Sequence, residues 1–151
     1  MGLRGCHSGI HSCTRLLGRE SFRLQVSTSA PWRIHPQEGV RFQQRGQHAN
    51  ARATFTRALN MEAPNKRMNA SLYYNRSACQ RQLGQLKLAL VDAQRAYAID
   101  PSMLKAYWRA ADVAIILDEQ AEAREAIDAG LKVAPRCQPL LNLKLQIQRF
   151  D

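Results

Sequence analysis

The sequence predicts an all-α solenoid of three helix-turn-helix repeats closed by a C-terminal capping helix, and three observations predict it. An offset of 34 residues lays Leu83 on Leu117, Ala89 on Ala123, Ala96 on Gly130, Ile99 on Val133 and Pro101 on Pro135 without a gap. Apolar and small residues recur three and four apart in Leu72 to Leu83, Leu86 to Ile99, Leu104 to Leu117 and Ala121 to Val133, the period of a helix and not of a strand. Gly84, the cluster Asp118-Glu119-Gln120, Pro101-Ser102 and Pro135-Arg136 then punctuate the chain where those helices must turn.

The same template, carried upstream with four extra residues in the connection Met61 to Asn69, places Gly39, Phe42, Ala51, Phe55 and Ala58 in equivalent slots. The expected repeats are therefore about 37–68, 69–101 and 102–135. Small residues fall where paired helices cross: Gly39, Ser77 and Ala111 on first helices face Ala51, Ala89 and Ala123 on second helices. The segment 138–150 carries Leu140, Leu141, Leu143, Leu145, Ile147 and Phe150 among polar residues and reads as the cap that covers the last repeat's apolar face. Its near-alternation also suits a strand, but a helical array offers no sheet to join.

At 151 residues, 45% apolar and 23% charged, the chain has the composition of one folded domain. No apolar run reaches the roughly 18 residues of a membrane span. Residues 1–36 differ: five Arg, no Lys, seven Ser or Thr and a single acid, Glu20. This composition predicts a disordered leader, with a mitochondrial presequence as the alternative because Arg15, Arg19 and Arg23 would line one helical face. Cys6, Cys13, Cys79 and Cys137 form no CxxC pair, and Cys79 and Cys137 read as reduced thiols at helix surfaces. Cys6, His7, His11 and Cys13 are the one metal-like cluster, and their spacing matches no finger. No GxSxG, P-loop or HExxH occurs, so neither an enzyme, a cofactor nor a metal site is expected. The net charge of +10 is spread over the leader and both helices of each repeat, without a basic stripe interleaved with aromatics, so nucleic acid is not an expected partner. Tyr73, Tyr74, Tyr97, Tyr107 and Trp108 read as packing between helices.

In stacked helix pairs the first helices line the concave face. That face would hold Ser71, Asn75, Ala78 and Gln82 from the second repeat and Lys105, Arg109 and Asp112 from the third, with Asn75 in the slot of Arg109 one repeat earlier. Lys105 and Arg109, four apart, share one helix face. Asp112 is also within reach of Arg109 on that helix, so an intrahelical ion pair on a solvated face is the plainer alternative.

Residues 37–135 resemble the tetratricopeptide repeat, a 34-residue helical pair. LYYNRSA at Leu72 to Ala78 and LKAYWRAA at Leu104 to Ala111 are similar to motifs of co-chaperones that hold the acidic C-terminal tail of heat-shock protein 90 or 70. The lengthened first connection, the DAQRA of Asp92 to Ala96 and EAREAIDAGL before a Leu-rich cap resemble the tetratricopeptide repeat protein four family. The resemblance implies a carboxylate clamp at Asn75, Lys105 and Arg109, with Ser71, Gln82 and Trp108 as further groove residues. It also implies a Lys and an Asn on the first helix of the first repeat, where this chain has Pro36 and Val40. The leader gives way to the repeat pattern at that same seam, which predicts a truncated or alternatively started variant with an incomplete clamp.

The expected function is a cytoplasmic, or cytoplasmic and nuclear, adaptor that binds the acidic tail of heat-shock protein 90 or 70. A mitochondrial scaffold or import-related protein and a non-binding fragment are the alternatives.

Overall fold

Seven helices follow one another in pairs among the described residues, 36–61 and 65–149, of the computed structural model. They are α1 (Pro36–Gln44), α2 (His48–Asn60), α3 (Lys66–Gln82), α4 (Leu86–Ile99), α5 (Leu104–Ile116), α6 (Gln120–Val133) and α7 (Gln138–Gln148). Each helix packs on its successor; first helices also touch, α1 on α3 and α3 on α5, and α7 closes the array against α6 and α5. No strand occurs among the described residues. Residues 1–35 of the leader, with the Cys6, His7, His11, Cys13 cluster, lie outside them, and Pro36 already begins α1.

The turn inside each pair is built the same way three times. Gly46 (φ 74°), Gly84 (φ 74°) and Asp118 (φ 60°) take left-handed backbone, and the next residue's N–H returns to the carbonyl five residues back: Gln47 to Phe42, Gln85 to Gln80, Glu119 to Ala114. This is a Schellman closure, which satisfies carbonyls that the helix end leaves free. Glycine adopts that backbone without strain, and Asp tolerates it better than most other side chains. The second helical pair starts earlier than its apolar periodicity indicates. Asn65 caps α3, its side chain accepting from the Arg67 N–H at 2.9 Å, so the helix begins six residues before Leu72.

Helix pairs approach closely because the crossing residues are small. Ala51, Ser77, Ala89, Ala111 and Ala123 are wholly buried, and the Ser77 hydroxyl donates to the Ala89 carbonyl at 2.8 Å. The nearest side chain to Gly39 is Phe55 and not Ala51: a Cβ there would stand 2.5 Å from Phe55 Cε1. Gly130 is equally confined, 2.9 Å from Tyr107 Cβ and 2.6 Å from Leu140 Cδ1 for an added Cβ. Gly130→Val is expected to lower stability by about 1–3 kcal/mol through overpacking, measured by urea unfolding; an unchanged midpoint contradicts this crossing. In α7, Leu140, Leu143 and Ile147 turn inward while Leu145 stays exposed, the three-and-four spacing of a helix and not a strand's alternation.

Cys79 corrects the expectation of a surface thiol. It is fully buried with Phe55 and Leu72, because it lies seven residues, two helical turns, after Leu72 on the inward stripe of α3. Burial pushes its thiol up to about 11 from 9.0. Cys137, ahead of α7, is half-exposed. Iodoacetamide at pH 8 is expected to label Cys137 in the native protein and Cys79 only after denaturant; equal native labelling contradicts the burial. The unfolded thiol ionises first, so the stability that neutral Cys79 contributes is full below pH 9 and is lost as pH rises through about 11.

Candidate functional site

The site is built from the first helices of the second and third repeats. On α5, Lys105 and Arg109 project four residues apart, and both arrive over the ring of Tyr74 on α3. Lys105 Nζ lies 4.6 Å from the ring centroid and Arg109 Cζ 5.3 Å from it. Arg109 Nη2 also donates to the Tyr74 hydroxyl at 3.3 Å, and its Cζ stands 5.7 Å from the Trp108 ring. Two like charges thus share one aromatic side chain.

No carboxylate among the described residues neutralises either cation. Asp112 pairs with Arg81 of α3 at 2.9 Å and not with Arg109, because it reaches across the repeat boundary. The intrahelical pair that would have left a merely solvated face is therefore not made. The Tyr74 contact is Arg109's one hydrogen bond among the described residues, so most of its five N–H donors have no acceptor among them. Asn75 follows Tyr74 on α3, is half-buried and makes no hydrogen bond with another of the described residues.

The remaining sequence-derived residues divide. Ser71, one turn before Asn75, is half-buried; Gln82 is exposed at the end of α3. Trp108 packs its ring against the core cluster that includes Ala110 and Val113, with Arg109 Cζ over it. On α1, Val40 lies against the cluster of Ala51, Phe55 and Leu72, and Pro36 is the first helical residue. Neither side chain has a donor for an anion. A separate pocket between α6 and α7 is lined by Ile127, Asp128, Lys144 and Ile147, where Lys144 already pairs with Asp128 at 2.9 Å. Among the described residues no group of three or more His, Cys, Asp or Glu could hold a metal, and no helix is long and apolar enough to cross a membrane.

Sequence reasoning missed two residues. Tyr74 read as packing, yet it carries both cations; the signal was present, since Lys105 and Arg109 occupy the slots of Ser71 and Asn75 one repeat later. Arg76 went unread altogether. Its guanidinium forks onto Asp92 of α4, Nε to Oδ2 at 2.6 Å and Nη2 to Oδ1 at 2.8 Å, and reaches Thr56 of α2 at 3.3 Å. The hydrogen bonds to Asp92 raise the Arg76 pKa above its ordinary value. By contrast Tyr97 and Tyr107 do pack, stacked at 4.3 Å.

Comparison with known proteins adds relatives to this geometry. Residues 70–103 match the tetratricopeptide repeat family. The Hsp70/Hsp90 co-chaperone CNS1 of Saccharomyces cerevisiae is 30% identical over 103 residues, 68% of this chain and 27% of that protein. Tetratricopeptide repeat protein 4 of Bos taurus is 29% identical over 118 residues, 78% of this chain and 30% of that protein. The solved structure of Hsp90 co-chaperone Cns1 from Saccharomyces cerevisiae superposes with a TM-score of 0.70 at 28% identity, over 76% of this chain and 37% of that one. The TPR2B domain of yeast Sti1, in its pHsp70 complex, gives 0.66 at 26% identity, over 76% of this chain and 94% of that one. The chain spans less than a third of the length of these curated relatives.

Proposed function

We propose that this chain, a tetratricopeptide-repeat protein similar to Hsp70/Hsp90 co-chaperones, is an adaptor that docks the acidic C-terminal peptide of heat-shock protein 70 or 90 on Asn75, Lys105 and Arg109. One observation carries the reading: Lys105 and Arg109 converge on a single ring with no carboxylate partner among the described residues. A pair of unneutralised cations side by side is repulsive until an anion joins them. A peptide terminus ending in Asp brings two carboxylates, and each charge-assisted hydrogen bond to them contributes about 1.5–3 kcal/mol. Asn75 supplies neutral donors beside the cations. Relatives named as Hsp70 and Hsp90 co-chaperones, and a similar domain solved in a pHsp70 complex, support the choice of peptide.

Val40 and Pro36 place no donor at those two positions of α1, so the proposed site grips from the second and third repeats only. Each absent charge-assisted contact weakens binding about tenfold or more. The test is a two-dimensional 15N–1H spectrum recorded while a peptide ending Glu-Glu-Val-Asp is added. Shifts concentrated on α3 and α5 around residues 71–78 and 105–112 are expected; shifts confined to α6 and α7, or none, overturn the proposal.

A further inference from the structure

We propose that Tyr74 is the positioning residue of the anion site: its ring spans the boundary between two repeats and holds Lys105 and Arg109 at the spacing that one acidic terminus requires. The inference rests on the reading of that site as a carboxylate grip. Lys105 is exposed and carries a long, rotamer-rich side chain, and Arg109 is half-buried. Free in water, two such cations four residues apart would diverge, and a guest would have to order both. The negative face of an aromatic ring attracts each of them, which offsets their mutual repulsion and removes part of that ordering cost before the guest arrives.

Tyr74 is suited to this and its neighbours are not. Trp108 contacts Arg109 alone, from the same helix, and its ring is committed to the core. Tyr73 also meets two cations, with Arg76 Cζ at 5.3 Å and Arg95 Cζ at 5.8 Å, but Arg76 is already neutralised by Asp92. Only at Tyr74, among the described residues, do two cations share a ring with no acid between them. The ring does not touch the guest's charge for this purpose; it acts through Lys105 and Arg109.

The experiment compares the whole chain with Tyr74→Leu, Tyr74→Phe and Tyr73→Leu, each titrated with a peptide ending Glu-Glu-Val-Asp as the free acid and as the C-terminal amide. The readout is the ratio of the two affinities, which a general loss of fold would not move selectively. Tyr74→Leu is expected to reduce that ratio about tenfold, and Tyr74→Phe, which keeps the ring, to retain it within about threefold. Tyr73→Leu should leave it unchanged. An unchanged ratio in Tyr74→Leu, or an equal fall in Tyr73→Leu, overturns the role of Tyr74 while the carboxylate reading stands. Failure of the unmodified chain to distinguish acid from amide overturns the carboxylate reading and this role with it. A measurement that needs no variant accompanies these: the Tyr74 ring current should shift the Lys105 Hε protons upfield in the free protein, and unshifted protons overturn the placement.

Discussion

Replacing Arg76 with alanine is expected to lower the stability of the repeat domain by about 3–5 kcal/mol, a large part of the roughly 5–15 kcal/mol that holds a domain together. Its fork onto Asp92 joins α3 to α4 and its third contact reaches Thr56 on α2, so one side chain ties together helices from two repeats. Asp92 is only 3% exposed; without the guanidinium its carboxylate would stay buried with no counter-charge. The penalty therefore comes from the partner left behind more than from the bond removed. Arg76→Met combined with Asp92→Leu, which removes both charges, should recover most of the loss. Urea unfolding followed by circular dichroism measures both. A loss below about 1 kcal/mol for Arg76→Ala, in the range of exposed ion pairs, contradicts this account.

Arg109→Ala is expected to act on binding and not on stability. The side chain has no carboxylate partner to orphan among the described residues, so unfolding should shift by no more than about 0.5 kcal/mol. Loss of its charge-assisted contacts to an acidic peptide should weaken binding by about 10- to 150-fold, the equivalent of about 1.5–3 kcal/mol. Arg109→Lys keeps the charge but not the planar fork, and it also gives up the Tyr74 hydroxyl bond and the contact with Trp108. It should still bind about tenfold more weakly, since about 1.4 kcal/mol is one decade. Fluorescence titration reads both variants; wild-type affinity in Arg109→Ala contradicts the proposed role.

These two arginines show what a sequence discloses and what it hides. The repeat was legible because the same slots recur 34 residues apart: Ser77 and Ala111, Ala89 and Ala123, Gly84 and Asp118 do the same physical work in successive copies. Lys105 and Arg109 were legible as a pair by their spacing on one helix. Their destination was legible only through the repeat offset that sets them over Ser71 and Asn75, because Tyr74 lies a full repeat upstream and the superhelix brings it beneath them. Arg76 and Asp92 were hidden differently. Sixteen residues apart on antiparallel helices, each looks like an ordinary surface charge until the Schellman turn at Gly84 folds one onto the other. Cys79 misled because a thiol fits core and surface alike; its distance from Leu72 was the clue that decided for the core. The early start of α3 depends on a single cap at Asn65, which apolar periodicity cannot register.

The central claim is that adjoining repeats hold two cations and a carboxamide ready for a peptide's terminal acid. Isothermal titration of the unmodified chain with a peptide ending Glu-Glu-Val-Asp, as free acid and as C-terminal amide, tests it most directly. Loss of one charge-assisted contact predicts an amide at least about tenfold weaker than the acid. Equal affinities, or no binding of the free acid, would contradict it.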